Sequence, residues 1–268
     1  MTDFDTYERK LWAGKAEGYE RVFMQLSRRM VEPLLDAVDG PVGAALLDVG
    51  TGPGPVAAAA VDRGLTVTAV DAEPSMAQAA ARNVPGADVR VAVLPDLGLP
   101  DHGFDAIVGN FLIQHVGDPR QSLAALYGLL RPGGRVALTC WHVAHSTGNT
   151  LIRSAMAQTG IEWPAEVPPS PFMEFAEPAP FAALLSEAGF TGVEVTEHSW
   201  LHVVDPDVWW SGPASGVGPN GMVLSRLDAA TVAKVKKAYD ALAAEYATGD
   251  GTVALPACAL LAAADRAT

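Results

Sequence analysis

The chain is poor in cysteine, in basic charge and in long apolar runs, and each shortage narrows what it can be. Only Cys140 and Cys258 occur in 268 residues, which makes no disulfide framework and offers no C-x-x-C spacing, so no metal site is expected. Both thiols fit a reducing cytoplasm, buried on strands. Lys and Arg total 18 against 31 Asp and Glu, a net charge of −13. Such a surface repels phosphate backbones and argues against a nucleic-acid partner. The main basic run, Lys234-Val235-Lys236-Lys237, reads as a solvated helix face. No apolar stretch approaches the ~20 residues of a membrane span, and Met1-Thr2-Asp3-Phe4-Asp5 is acidic where a signal peptide is basic. The expectation is a soluble cytoplasmic protein without a membrane partner, a monomer or homodimer, with no internal repeat.

What is present is a hydrophobic fraction of 49%, enough to build one large α/β domain. The chain is organised around Leu46-Leu47-Asp48-Val49-Gly50-Thr51-Gly52-Pro53-Gly54. A short apolar run passes into three alternate glycines, and the alanine-rich segment Val56 to Val61 follows. This is the pattern of a buried strand, a tight turn and a helix N-terminus. Gly50 and Gly52 let the backbone turn and lie against a ligand. The helix start offers unpaired N–H groups, and Pro53 and Pro55 are tolerated there. A second strand, Val67 to Val70, ends in Asp71, about twenty residues on, where an α/β fold holds a ribose. Dinucleotide binders favour G-x-G-x-x-G, which needs a glycine at position 55, and Pro55 stands there.

The G-x-G-x-G turn preceded by Asp48 resembles motif I of the class I S-adenosylmethionine-dependent methyltransferases, with Asp71 at that family's ribose-binding position. Phe104-Asp105-Ala106-Ile107-Val108, Leu129-Leu130-Arg131-Pro132-Gly133-Gly134 and Ala188-Gly189-Phe190 match further family signatures. The resemblance spans about residues 42 to 200 and is greatest to the ubiquinone/menaquinone-biosynthesis branch, whose members methylate small molecules. It implies a Rossmann-like, seven-stranded, mostly parallel α/β sheet with helices on both faces. It also implies S-adenosylmethionine as cofactor and S-adenosylhomocysteine as product.

Four regions are expected. Residues 1–41 form an N-terminal helical arm, helical from about 5 to 38, and 42–141 the cofactor-binding core. Residues 142–180, rich in proline, form a cap or lid inserted after the fifth strand. Residues 181–268 complete the sheet with a C-terminal helix and strand. Within the core, Asp88 to Val93 reads as the third strand, Phe104 to Val108 as the fourth, Leu129 to Gly134 as a turn and Arg135 to Cys140 as the fifth. Beyond it come a helix from Phe181 to Glu187 and strands at Gly192 to His198 and Trp200 to Val204. Trp209-Trp210 reads as an edge strand or pocket wall. A Gly/Pro turn over 211–221, a helix from Asp228 to Tyr246 and a strand Val253 to Leu255 follow.

The cofactor is expected to meet Asp48, Gly50, Gly52, Gly54, Asp71 and Ala72, with Met76 as a flexible apolar cover for an adenine face. The resemblance adds Asp96 and Leu97 beside the adenine, and Asn110 and Gln114 where the methionine moiety and acceptor meet. It also places Trp12 and Tyr19 in an arm laid across the cofactor. His115 follows the ligand-bearing edge of the fourth strand and is the first candidate for a general base. His142 and His145 are weaker candidates, and Trp141, His142 and Trp209 are expected to line the acceptor pocket with Trp12 and Tyr19. The function these readings imply is methyl transfer to a C, N or O atom of a small molecule by in-line displacement. Two alternatives stand beside it: a cofactor-binding protein of this fold without methyl transfer, and an NAD-dependent dehydrogenase.

Overall fold

A computed structural model describes residues 2–268. Seven strands form one sheet: β1 (Ala45–Val49), β2 (Thr66–Asp71), β3 (Asp88–Val91), β4 (Phe104–Gly109), β5 (Leu130–Trp141), β6 (Thr191–Val204) and β7 (Val253–Asp265). Their spatial order is β3-β2-β1-β4-β5-β7-β6. The first five pair in parallel, and β7 lies antiparallel between β5 and β6. The order reverses between β1 and β4, so their carboxyl ends open a crevice of the kind that holds ligands in doubly wound sheets.

The central strands are mostly apolar because both faces are covered, and successive residues serve opposite cores. Leu47, Ile107, Val136 and Leu138 pack under the helices Pro119–Leu129 and Pro178–Glu187. Leu46, Ala106, Val108 and Ala137 pack under Val31–Val38 and Pro55–Asp62. Each fully buried Leu or Ile contributes about 1.5–3 kcal/mol of transfer free energy.

The arm is helical from Asp3, in the segments Asp3–Trp12, Ala16–Arg21, Phe23–Ser27 and Val31–Val38. It is strapped across the carboxyl edge of the sheet. Gly117 N donates to Asp5 Oδ1 at 2.7 Å and Gly14 N to Glu73 Oε1 at 3.1 Å.

Several expected elements change. The third strand ends at Val91, two residues early. The Leu129–Gly134 turn is instead a bulge inside a longer strand: Leu130 already pairs with Phe104, and the register resumes at Ala106 with Arg135. Gly134 is needed there because a Cβ would lie 2.9 Å from Asp105 O. Trp209 and Trp210 belong to a helix, Pro206–Ala214, not to an edge strand. Asp205 caps it by accepting from Asp207 N, and Pro206 occupies its first turn. The expected turn over 211–221 likewise contains the helix Gly218–Leu224. The two strands at 192–198 and 200–204 are one, and the last strand runs on to Asp265 through alanines that burial holds in the sheet despite their weak β preference.

Residues 142–180 are also more ordered than a loop, with a helix at Gly148–Gln158 and a 3₁₀ turn at Pro171–Phe175. Leu151, Ile152 and Met156 pack with Trp209, Val235 and Tyr239 into a separate apolar core. The helices following β6 therefore share the cap. The C-terminal helix, Ala229–Ala243 with a 3₁₀ extension to Tyr246, lies where expected and is capped by Asp228. Cys140 and Cys258 are free and buried, on β5 and β7. No helix among the described residues is long and apolar enough to cross a membrane.

Candidate active site

A cavity of about 780 Å³ opens at the crevice between β1 and β4, roofed by the arm and the cap. Its floor is built by the glycine turn. Gly50, Gly52 and Gly54 have φ of 70°, 55° and 90°, which a residue with a Cβ adopts only under strain. The three differ in purpose. A Cβ on Gly50 would strike Leu112 Cδ1 at 2.7 Å, and one on Gly54 would strike Val84 Cγ2 at 2.8 Å, beneath the floor. A Cβ on Gly52 would meet nothing nearer than Tyr19 Cε1 at 3.9 Å, so that backbone faces open space.

Asp71 stands beside Gly52 at the end of β2. Its Oδ2 accepts from Gly52 N at 2.8 Å and its Oδ1 from Glu73 N at 2.9 Å. Burial pushes its carboxyl above the usual carboxylate range, while these two donors pull it back. Ala72 and Met76 continue the wall, with Met76 buried. Asp48 lies under the floor, fully buried. Oδ2 accepts from Thr51 Oγ1 at 2.6 Å, and Oδ1 has no partner. Its pKa is pushed up to about 7, first by burial and also by the charge of Asp71.

The opposite wall follows β4. Asn110 Oδ1 accepts from Thr139 Oγ1 at 2.8 Å, and its Nδ2 donates to Ser27 O in the arm at 3.1 Å. Phe111 has a left-handed φ of 55°. It is held there by N–H donation to Thr139 Oγ1 at 2.8 Å and by a ring stack on Trp141 at 3.8 Å. Such strain in a non-glycine residue persists only where the surroundings fix it. Gln114 Oε1 accepts from Trp141 N at 3.0 Å.

His115 is joined to the arm. Its Nδ1 is 2.8 Å from Glu8 Oε2, and the same oxygen accepts from Trp12 Nε1 at 2.8 Å. The carboxylate can only accept, so Nδ1 carries the proton and Nε2 is the acceptor nitrogen, 3.3 Å from Gln114 Nε2. Trp12 packs edge-on against the imidazole at 5.5 Å and against Tyr19 at 5.9 Å. Sequence reasoning missed Glu8. Its signal is an acid at the centre of the first helix's buried face, between Phe4 and Leu11. It also missed Tyr7, whose phenol lines the cavity without a hydrogen-bond partner. Burial, then the charge of Glu8, pushes that phenol up to about 12.

The structure thus brings together at the cavity Gly50, Gly52, Asp71, Ala72, Met76, Leu97, Asn110, Gln114, His115, Trp12, Tyr19 and Trp141. It leaves five expected residues outside the lining besides Asp48, one of them His145, exposed on the turn after β5. Gly54 caps the helix below. Asp96 is exposed and accepts from Gly98 N within its own loop, so the adjoining wall is made by Ala92, Val93 and Leu94 instead. Trp209 is fully buried in the cap core against Phe23, its Nε1 donating to Gly148 O at 3.2 Å. His142 is buried away from the cavity, with Nε2 3.3 Å from Glu177 Oε2. Above the floor, the cap contributes an apolar face from Trp163, Val167, Phe172 and Met173, with Arg153 stacked on Trp163 at 4.4 Å.

Comparison with known proteins agrees with this geometry. The family described as "Methyltransferase domain" matches residues 47–138, which hold the glycine turn, Asp71 and His115 but neither arm nor cap. A ubiquinone biosynthesis O-methyltransferase of Xanthomonas axonopodis pv. citri is 32% identical over 157 residues, 56% of this chain and 63% of the relative, so the chain spans under two thirds of that protein's length. An uncharacterized methyltransferase of Mycobacterium tuberculosis is 34% identical over 150 residues, 50% of this chain and 76% of the relative. Among solved structures, phosphoethanolamine N-methyltransferase 2 of Haemonchus contortus, bound to S-adenosylhomocysteine, shares the fold at a TM-score of 0.54 and 19% identity. The match covers 90% of this chain and 53% of that one. With a matching domain, a relative largely covered and the ligand-bearing crevice in place, the chain belongs to the class I S-adenosylmethionine-dependent methyltransferases.

Proposed function

We propose that this protein transfers a methyl group from S-adenosylmethionine to a largely apolar small molecule that gives up a proton, with His115 as the general base. The observation that carries the reading is the Glu8–His115 pair, set in the wall of a cavity whose floor is the Gly52–Asp71 cradle.

The cradle fits the cofactor on two counts. The backbone at Gly52 faces the space that a Cβ would fill, and the Asp71 carboxylate lies at the same wall with lone pairs beyond its two backbone donors. Asp71 would hold a ribose, Ala72 and Met76 an adenine, and Gly50, Asn110 and Gln114 the amino-acid end. When bound, the cofactor supplies a methyl group already activated on a sulfonium. What remains for the chain is alignment, exclusion of water and management of one proton.

His115 Nε2 takes that proton from the acceptor, and Glu8 Oε2 stabilises the imidazolium through Nδ1–H. Glu8 also fixes the tautomer that leaves Nε2 basic. Trp163, Val167, Phe172 and Met173 give the acceptor side an apolar surface, which favours a phenol or activated carbon acid over a charged substrate. The net charge of −13 supports a small molecule over a nucleic acid. The segment 142–180 serves as part of a lid over the site.

Incubating the protein with S-adenosylmethionine and a panel of phenols, hydroxyquinones and amines tests this. S-adenosylhomocysteine release matched by a methylated phenol or carbon acid is expected. Methylation confined to amines would remove the need for the base. Tight cofactor binding with no methylation across the panel would favour a cofactor-binding protein that does not transfer methyl.

A further inference from the structure

Outside the cavity, three strands bring a second set of polar side chains together. In the antiparallel pairing of β5 and β7, Trp141 faces Ala259, and His142, the next residue, donates its N–H to Cys258 O at 3.0 Å. In the pairing of β6 and β7, Cys258 faces Ser199, and Glu197 lies on the same face two residues away. The turn after His142 returns His145 to the same place. That turn is pinned to β7: Cys258 N donates to Ser146 Oγ at 3.1 Å and Thr147 N to Pro256 O at 2.8 Å.

Four potential ligand atoms result, one each from His142, His145, Glu197 and Cys258, all within 4.8 Å of one another. His142 Nδ1 is 3.8 Å from Glu197 Oε1 and 3.9 Å from Cys258 Sγ, and His145 Nδ1 is 3.9 Å from Glu197 Oε2. The two histidine–Glu197 separations are too long for hydrogen bonds, and the Sγ–Nδ1 contact is at most a long, weak one to sulfur. They approach the edges of a tetrahedron around a metal with bonds of about 2.0–2.3 Å, which are roughly 3.3–3.8 Å. His142 is 4% exposed and Cys258 0%, so the two imidazoles, packed at 4.2 Å, and the thiol are held in a partly dry pocket.

We infer that His142, His145, Glu197 and Cys258 form a structural binding site for a divalent first-row metal ion, zinc by the chemistry of the set. Two imidazoles, a carboxylate and a thiolate suit zinc, and four protein ligands leave no open position for chemistry. Binding converts the Cys258 thiol to a thiolate and releases one proton to solvent. Thiolate and carboxylate then balance the dication, so the filled site is neutral. Glu177 Oε2, 3.3 Å from His142 Nε2, accepts from the ring nitrogen that is not coordinating, the usual second partner of a metal-bound histidine. Spacing along the chain hides the site, because its ligands come from the end of β5, the following turn, β6 and β7.

Tag-free full-length protein, stripped with chelator and titrated with zinc or cobalt(II), tests the inference. One equivalent is expected to bind, with a tetrahedral cobalt spectrum, a thiolate charge-transfer band and a raised melting temperature. Cys258→Ser should abolish the band while Cys140→Ser keeps it. His145→Ala, at an exposed loop position, should weaken binding at least tenfold without unfolding the protein, and Glu177→Gln by about 10–100-fold. No stoichiometric uptake from micromolar free zinc would overturn the assignment. So would a charge-transfer band that survives in Cys258→Ser, or unchanged affinity in His145→Ala.

Discussion

Glu8 and His115 share a 2.8 Å contact although 107 positions separate them. If this pair handles the acceptor proton, His115→Ala should lower turnover by about 10²–10⁴. Glu8→Gln should follow it by about 10²-fold, since the amide no longer stabilises an imidazolium. S-adenosylhomocysteine affinity should change little in either variant. A purely structural histidine gives the reverse pattern: stability falls by about 1–3 kcal/mol while turnover per folded molecule persists. His115→Asn turning over like wild type would rule out the base.

The cradle makes a paired prediction about Asp71. Asp71→Ala should cost about 2–4 kcal/mol of affinity for S-adenosylhomocysteine, through lost charge-assisted bonds to a ribose. It also strands the N–H groups of Gly52 and Glu73, so a small loss of stability should accompany it. Calorimetric titration showing an unchanged dissociation constant would place the ribose elsewhere.

The glycines separate binding from folding. Gly52→Ala should weaken cofactor binding while costing about 1–2 kcal/mol of stability, the penalty of a left-handed conformation. Gly54→Ala adds a clash with Val84 and close contact with the Ala80 backbone at 3.3 Å. It should destabilise more, by about 2–4 kcal/mol. Equal denaturation midpoints for the two variants would contradict the different surroundings described for them.

Asp48 carries a pH prediction. Burial raises its pKa from 3.8 to about 7 in the folded protein. The folded state therefore binds this proton more tightly than the unfolded chain. The associated stability is fully present below about pH 4 and is lost as pH rises to about 7, by up to ~1.4 kcal/mol per unit. Asp48→Asn removes the ionisation, so its stability relative to wild type should improve between pH 5 and 8 in the ligand-free protein. Parallel pH profiles for the two proteins would show that Asp48 stays ionised when folded.

Closure of the cap has its own readout. Amide hydrogen exchange over residues 142–180 should slow when S-adenosylhomocysteine and an acceptor are both present. Equal exchange with and without them would leave this segment a passive part of the wall.

The floor of the site was legible because local chemistry dictates it: a glycine turn between strand and helix, then an acid at the end of the next strand, can be read within thirty residues. The walls were not, because tertiary pairing makes them. Asp96 looked like the only available acid, yet its carboxylate satisfies its own loop at Gly98. Trp209 offered an aromatic surface, but the Asp205 cap and Pro206 turn its segment into a helix whose core absorbs the indole. Glu8 is hidden in the sequence because an acid on a buried helix face shows its purpose only once His115 and Trp12 meet it. His142, just past the end of β5, is buried away from the cavity, whose wall Trp141 fills.

The arm that roofs the cavity is also the part that donates Glu8. If His115 is the base proposed above, lifting the arm would separate it from Glu8, and re-docking would restore the pair. Shelter of the cavity and the Glu8–His115 contact would then change together, because one helix supplies both. A change that loosens the strap at Gly117 or Gly14 would weaken shelter and reactivity in step, far from any atom that touches the acceptor.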